Sequence, residues 1–259
     1  MNNKKENRLS RRLTVNALEP YISIRPIIKK SDNEAAYTLI EAYADNNMLR
    51  WLTGSIKDDK KRQNVYHDIF KGLIRSAASE SREFAVQLNG CKGVMLWSES
   101  QSEILSVGNA IGSRRLWGSL GAVATVRALL IHHRHLAKMK RRIMDGRSHL
   151  TIHFIGVLPN ETKCQAGSAL MQYLINRANE AQLPIFVEVW GKHHLGWFEK
   201  FGFVVEAKKS FSDKEDAIVY YIVREPEMDA ETPRNAVPTE AGVTLHLEPP
   251  REDLIIGSA

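Results

Sequence analysis

From Leu150 to Val189 the chain spells out one supersecondary unit that restricts the fold more than any other stretch. Leu150-Thr-Ile-His-Phe-Ile-Gly-Val157 is apolar and β-branched and stops at Pro159-Asn160, which predicts a buried strand ending in a turn. Ala166, Leu170, Tyr173, Leu174 and Ala178 then recur at helical spacing, so a helix over 166–178 follows. Pro184-Ile-Phe-Val-Glu-Val189 is a second buried strand. Strand, turn, helix and strand in that order make a crossover, which sets the two strands parallel.

The flanking sequence adds antiparallel material. Tyr21 to Ile27 alternates isoleucine with polar residues and reads as a strand, and Ser31 with Glu34 at capping-box spacing starts a helix through about Ala44. A second helix is expected over Asp58–Ala77. Phe84–Leu88 and Gly93–Trp97 are short apolar runs joined across Asn89-Gly90, a dipeptide that favours a hairpin turn. Breaks near Gly112 and Gly118 precede a long helix over about Val123–Met144. Beyond the crossover, Trp197–Phe201 forms a short helix ended by Gly202, and Phe203–Ala207 and Ala217–Val223 are two more strands. The fold class is α/β (α+β), a mixed and mostly antiparallel central sheet with helices on both faces. Residues 21–223 make one domain between a flexible basic arm (1–20) and a disordered tail (224–259) that is acidic and holds five prolines.

Composition narrows the function. With 259 residues, 43% hydrophobic and 25% charged, the chain has material for a real core, which excludes wholesale disorder. Its two cysteines, Cys91 and Cys164, form no CxxC pair, so neither a zinc site nor a disulfide framework is expected and a reducing, cytoplasmic setting fits. The longest apolar stretch, Leu120–Ile131, is interrupted by Arg127 and too short for a bilayer, so no membrane partner is expected. The net charge of +6 divides into −5 on residues 224–259 and +11 on the rest, much of it in Met1–Arg12 and Arg127–Arg142. Such a body attracts a polyanion. No aromatic residues interleave with those charges, which favours a solvated helix face over a nucleic-acid surface. His132, His133 and His135 have no carboxylate at i±4 and read as solvated residues, with no metal.

Three stretches, Phe-Ile-Gly-Val-Leu-Pro-Asn (154–160), Ala-Gly-Ser-Ala-Leu-Met (166–171) and Trp-Phe-Glu-Lys-Phe-Gly-Phe (197–203), carry a resemblance. They resemble the GCN5-related N-acetyltransferase (GNAT) superfamily, and the order of elements from Tyr21 to Val223 is similar to that family. The resemblance implies acyl transfer from acetyl-CoA to an amine, and a sheet whose parallel pair splays at the acyl-CoA site. It lays the pantetheine arm along Ile155, Gly156 and Val157, with the Val157 N–H as candidate donor to the thioester oxygen. It puts the pyrophosphate on Thr162, Lys163, Cys164, Gln165, Ala166, Gly167 and Ser168, where a helix start offers free N–H groups. The sequence departs from the family pattern at four points, the first being Thr162, a shortened first polar residue of the loop. Gln165 replaces the middle loop glycine, at a cost of about 1–2 kcal/mol if that position is left-handed. His194 falls where many members place a cofactor-positioning asparagine, and Phe198 replaces the tyrosine that protonates the leaving thiolate. Water, Tyr173, Tyr220 or Tyr221 are the substitutes left open for that proton.

For the general base, His153 is four residues before Val157 and so on its strand face by alternation, and Glu188 sits near the end of the next parallel strand. A hydrogen-bonded core histidine and a buried salt bridge are the structural alternatives. Cys164 lies in the inferred pyrophosphate loop, away from the thioester, which favours direct attack by the amine. The expected cosubstrate is acetyl-CoA without a metal, the acceptor a small-molecule primary amine without nucleic acid, and the protein a monomer or homodimer. A non-catalytic acyl-CoA-binding scaffold and a nucleic-acid binder are the competing readings. The acceptor pocket is assigned to 45–149, where Trp51, Trp97 and Trp117 line a pocket or pack the core.

Overall fold

The computed structural model describes residues 22–54, 56–100, 133–211 and 218–227. The expected arm, most of the tail, Trp117, His132 and the first part of the long helix lie outside these residues. Seven strands form one sheet: β1 (Ile24–Pro26), β2 (Ala85–Leu88), β3 (Gly93–Glu99), β4 (Leu150–Val157), β5 (Ile185–Trp190), β6 (Val204–Ser210) and β7 (Ile218–Arg224). Their order is β1-β2-β3-β4-β5-β7-β6, and β4–β5 is the parallel pair among antiparallel neighbours. The helices are α1 (Asp32–Ala42), α2 (Asn47–Thr53), α3 (Asp59–Glu80), α4 (His133–Met144), α5 (Ala166–Glu180) and α6 (Leu195–Glu199). All of these elements fall in one compact unit.

Local chemistry sets the boundaries. Asp58 caps α3, its carboxylate accepting from the N–H groups of Lys60 and Lys61, and Val65, Ile69, Phe70, Leu73 and Ala77 then bury one face at helical spacing. A fully buried side chain such as Phe70 contributes roughly 1.5–3 kcal/mol of apolar transfer. Asn89 and Gly90 both take positive φ (48° and 72°), as a turn that matches strand twist requires, and Leu88 pairs with Gly93 across it. The capping box expected at Ser31 does not form. Ser31 has φ −96° and ψ 3°, too far from an extended conformation to aim its hydroxyl at the helix, and makes no side-chain cap bond. Helix α2 was absent from the sequence reading; Asn46 starts it by accepting from the N–H groups of Met48 and Leu49. Strand β7 continues through Arg224, whose buried guanidinium donates to the Phe201 carbonyl and the Asn179 amide oxygen, both at 2.9 Å.

Helices cover both faces. A Cβ added at Gly156 of β4 would lie 2.8 Å from the Ala42 Cβ, so α1 is pressed against that face. A Cβ at Gly93, opposite Val157, would lie 3.0 Å from Leu170, so α5 occupies the other. Two irregularities then shape β4. Trp97 pairs with Ile152 but Leu96 pairs with Phe154, which leaves His153 as an extra, bulged residue. Parallel pairing with β5 covers Leu150–Ile152 against Ile185–Val187 and no more, so the two strands split beyond that point.

Candidate active site

A cavity of about 510 Å³ opens where β4 and β5 part. Main-chain groups alternate sides along a strand. The Leu158 N–H donates to Lys92 at 3.0 Å, toward β3, so Gly156 shares that direction and the groups of Ile155 and Val157 point into the split. Tyr43, at the end of α1, meets them there. Its hydroxyl donates to the Ile155 carbonyl (3.1 Å) and accepts from the Ile155 N–H (3.2 Å). Burial pushes the Tyr43 pKa up to about 12, so the phenol keeps its proton.

At one end of the cavity, a 3-10 turn over Pro159–Cys164 leads into Gln165, which has φ 55° and ψ 11°, and α5 begins immediately after. The condition set by the missing glycine therefore holds: a glutamine occupies a left-handed position. Ala169 donates to the Gln165 carbonyl at 2.9 Å, so the N–H groups of Ala166, Gly167 and Ser168 have no acceptor within the helix. Gly167 sits close to its neighbours, a Cβ there falling 3.5 Å from Trp197 and 3.6 Å from Val157. Glu161 brings a negative charge to the same turn, bridged to Lys92 at 2.8 Å.

The structure gathers most of the residues singled out from sequence. His153, Ile155, Gly156, Val157, Gln165, Gly167, Ser168, Glu188, His194 and Phe198 all line this cavity. Ala166 is buried at the helix start instead, and the side chains of Thr162, Lys163 and Cys164 lie outside the described set. Phe198 packs its ring edge against Trp197 and Phe203. His194 lies 3.9 Å from the His193 ring in a tilted arrangement, and burial followed by the His193 charge lowers its pKa. The Glu188 carboxylate accepts from the Trp190 indole N–H. Trp97 belongs to the core at 1% exposure, whereas Trp51 joins Trp190 and Phe211 in an aromatic cluster. Tyr173, Tyr220 and Tyr221 do not line the cavity; among the described tyrosines, Tyr43 does.

His153 is where strand alternation misleads. Paired residues share a sheet face, so Ser98 and Thr151 lie on the α1 face while Trp97 and Ile152 lie with Val157 on the α5 face. The bulge turns His153 onto the α1 side, where its Nε2 is 2.8 Å from Ser98 Oγ. His153 and Val157 are therefore on opposite faces. Ser98 is fully buried and His153 is its one hydrogen-bond partner among the described residues, so the hydroxyl proton is assigned to the imidazole. His153 then carries its own proton on Nδ1. Burial, with the nearby Lys140 charge, pushes its pKa down to about 3 and keeps it neutral.

Sequence reasoning missed three polar groups beside it. Thr151 lines the cavity at 4% exposure, its hydroxyl without a partner among the described residues. Lys140 lies one turn beyond Leu136, which also lines the cavity, and burial pushes its pKa down to about 8. His149 donates from Nδ1 to the Arg147 carbonyl at 2.7 Å and leaves Nε2 buried and unpaired. Nothing local in the sequence marks Tyr43, whose partner is 112 residues away. Among the described residues, no group of three or more His, Cys, Asp or Glu could hold a metal ion, and no helix is long and apolar enough to cross a membrane.

The fold is shared with solved acetyltransferases. A protein described as histone acetyltransferase HPA2 and related acetyltransferase, from Corynebacterium glutamicum, superposes with a TM-score of 0.56 at 17% identity, covering 82% of this chain and 100% of that one. A mosquito arylalkylamine N-acetyltransferase like 5b gives 0.52 at 13% identity, over 79% of this chain and 99% of that one. An agmatine N-acetyltransferase variant gives 0.50 at 13% identity, over 80% and 100%. Among curated proteins, no sequence matches. Residues 118–203 match the Acetyltransferase (GNAT) family model, so the chain carries a GNAT acetyltransferase domain. Members of that family transfer an acetyl group from acetyl-CoA.

Proposed function

We propose that this protein is an acetyl-CoA-dependent N-acyltransferase that acetylates a primary amine of a small molecule by direct attack on the thioester. The observation that carries the reading is the split of β4 from β5, which turns the Val157 main chain into a cavity beside the free N–H groups of α5. An extended pantetheine arm lies along Ile155, Gly156 and Val157 and pairs with the Val157 main chain, beyond the Ile155 groups that Tyr43 holds, and the N–H groups of Ala166, Gly167 and Ser168 receive the pyrophosphate with Thr162, Lys163, Cys164 and Gln165 in the preceding turn. The Val157 N–H supports the thioester oxygen as it gains negative charge. Glu188 takes a proton from the acceptor ammonium. The amine then attacks the carbonyl carbon, its nitrogen gives up a second proton to water, the C–S bond breaks, and CoA leaves as a thiolate that takes that proton through the same water. Phe198 packs at the thiol end and supplies no proton. His153, which lines the cavity and stays neutral, donates to the acceptor from Nδ1 rather than taking its proton.

Calorimetric titration with acetyl-CoA and desulfo-CoA tests the cofactor site. Binding of neither overturns the reading. Thiol release across an amine panel tests the chemistry: Glu188→Gln is expected to lower kcat by about 10²–10⁴-fold, the range of general base catalysis. Unchanged rates in both Glu188→Gln and His153→Gln remove the site assignment. CoA binding without turnover of any amine favours the second reading, a non-catalytic acyl-CoA-binding protein, which Gln165 and Phe198 support.

A further inference from the structure

One side of the cavity gathers hydrogen-bond donors with no acceptor. Thr151 is 4% exposed, lines the cavity and has a hydroxyl with no partner among the described residues. A buried hydroxyl left unpaired costs about 1–3 kcal/mol, so its retention in a cavity wall points to a ligand that satisfies it. His153 lines the cavity two positions along β4, and with Ser98 at Nε2 its ring proton is assigned to Nδ1. Lys140 lies one helical turn from the cavity-lining Leu136, on the same helix face and just behind the lining, has no ion-pair partner among the described residues, and its charge acts on both His149 and His153. Burial of this ammonium without a counter-charge lowers its pKa to about 8, a cost that a bound anion removes.

The carboxylates of the wall lie elsewhere. Asp45 is 90% exposed and bridged to Arg50. Glu188 stands two residues beyond Phe186 on β5, and Phe186 is the register partner of Thr151, so Glu188 and the donor group share one sheet face and are offset along it. An ammonium belongs at one end of this face and an anion at the other. Three converging donors suit the lone pairs of a carboxylate.

We propose that the acceptor is a primary amine that also carries a carboxylate, with its ammonium against Glu188 and its carboxylate received by the Thr151 hydroxyl, the His153 Nδ1–H and the Lys140 ammonium. The proposal rests on the N-acyltransferase reading and narrows it to amino-acid-like acceptors. It is tested by thiol release from acetyl-CoA with matched trios: phenylalanine, arginine and glutamate, each beside its α-amide and its decarboxylated amine. The expected result is a preference for the free acid of at least about tenfold in kcat/KM, the effect of one charge-assisted hydrogen bond. That ratio should collapse toward one in Lys140→Met through a raised KM for the acid, and persist in Lys140→Arg. Equal or inverse preference, or a ratio untouched by Lys140→Met, overturns the proposal.

Calorimetry with the N-acetyl amino acids and their amides gives a second readout that needs no turnover. If CoA fails to bind while the N-acetyl acids still bind more tightly than their amides in a Lys140-dependent way, the acyltransferase reading falls and the carboxylate site stands. If acids and amides bind alike, or neither binds, the carboxylate site falls.

Discussion

At the scale of single residues, Gly156, Gln165 and His153 show three ways in which one position is held by its surroundings. Gly156 is fixed by approach, since a Cβ there would stand 2.8 Å from the Ala42 Cβ. Gly156→Ala is expected to destabilise by about 1–3 kcal/mol in urea unfolding, because α1 has to lift from β4. Gln165 is strained in the opposite sense. It holds φ 55° without the glycine that suits it, and Gln165→Gly is expected to raise stability by about 1 kcal/mol, read as a higher urea midpoint at unchanged slope. His153 has a folded pKa of about 3, below the usual imidazole value. The unfolded chain therefore takes up this proton first as pH falls. The stabilisation is complete above roughly pH 6.5 and is lost progressively toward pH 3, at most about 1.4 kcal/mol per pH unit. A proton-NMR titration should show the His153 ring shifts flat from pH 8 to 5; a midpoint near 6.5 contradicts the burial and the Ser98 bond.

At the scale of elements, the pair β4 and β5 was legible because buried parallel strands write themselves as continuous apolar runs, and the helix between them keeps a helical period. The strand bounds Leu150–Val157 follow directly from that pattern. The bulge was not legible. A single extra residue changes no hydrophobic count, yet it moves His153 to the face opposite Val157, so a two-residue period assigned it wrongly. The polar groups that α1 and α4 bring up to β4 were invisible for a different reason: Tyr43 acquires meaning only by contact with Ile155, and Lys140 only through its charge on His149 and His153. Tyr43→Phe tests the first of these contacts. It strips the partner from two buried main-chain groups of Ile155, and is expected to cost about 1–3 kcal/mol and to speed hydrogen exchange at the Ile155 amide. An unchanged exchange rate would show that the hydroxyl does not protect that amide.

At the scale of the whole molecule, the sequence carries +11 on residues 1–223 against −5 on 224–259. A basic body draws in a polyanionic cosubstrate from a distance, and salt screens that attraction beyond about 8 Å at 0.15 M. Stopped-flow association of CoA is accordingly expected to slow several-fold between 0.05 and 0.5 M salt, with a smaller change in dissociation. A rate independent of salt would detach the charge pattern from cofactor capture.

A split sheet has a cost in the living state of the protein that the Tyr43 contact helps to meet. Parting β4 from β5 creates, in the middle of the sheet, the kind of unpaired strand border that at an outer edge invites a foreign chain to add itself. A single phenol, bonded to both the N–H and the carbonyl of Ile155, blunts that border at its centre. The centre of that border is thus closed to a stray polypeptide strand while Val157, where the proposed cofactor arm pairs, is left to its ligand, and Tyr43→Phe should make the ligand-free protein more prone to self-association than its loss of stability alone accounts for.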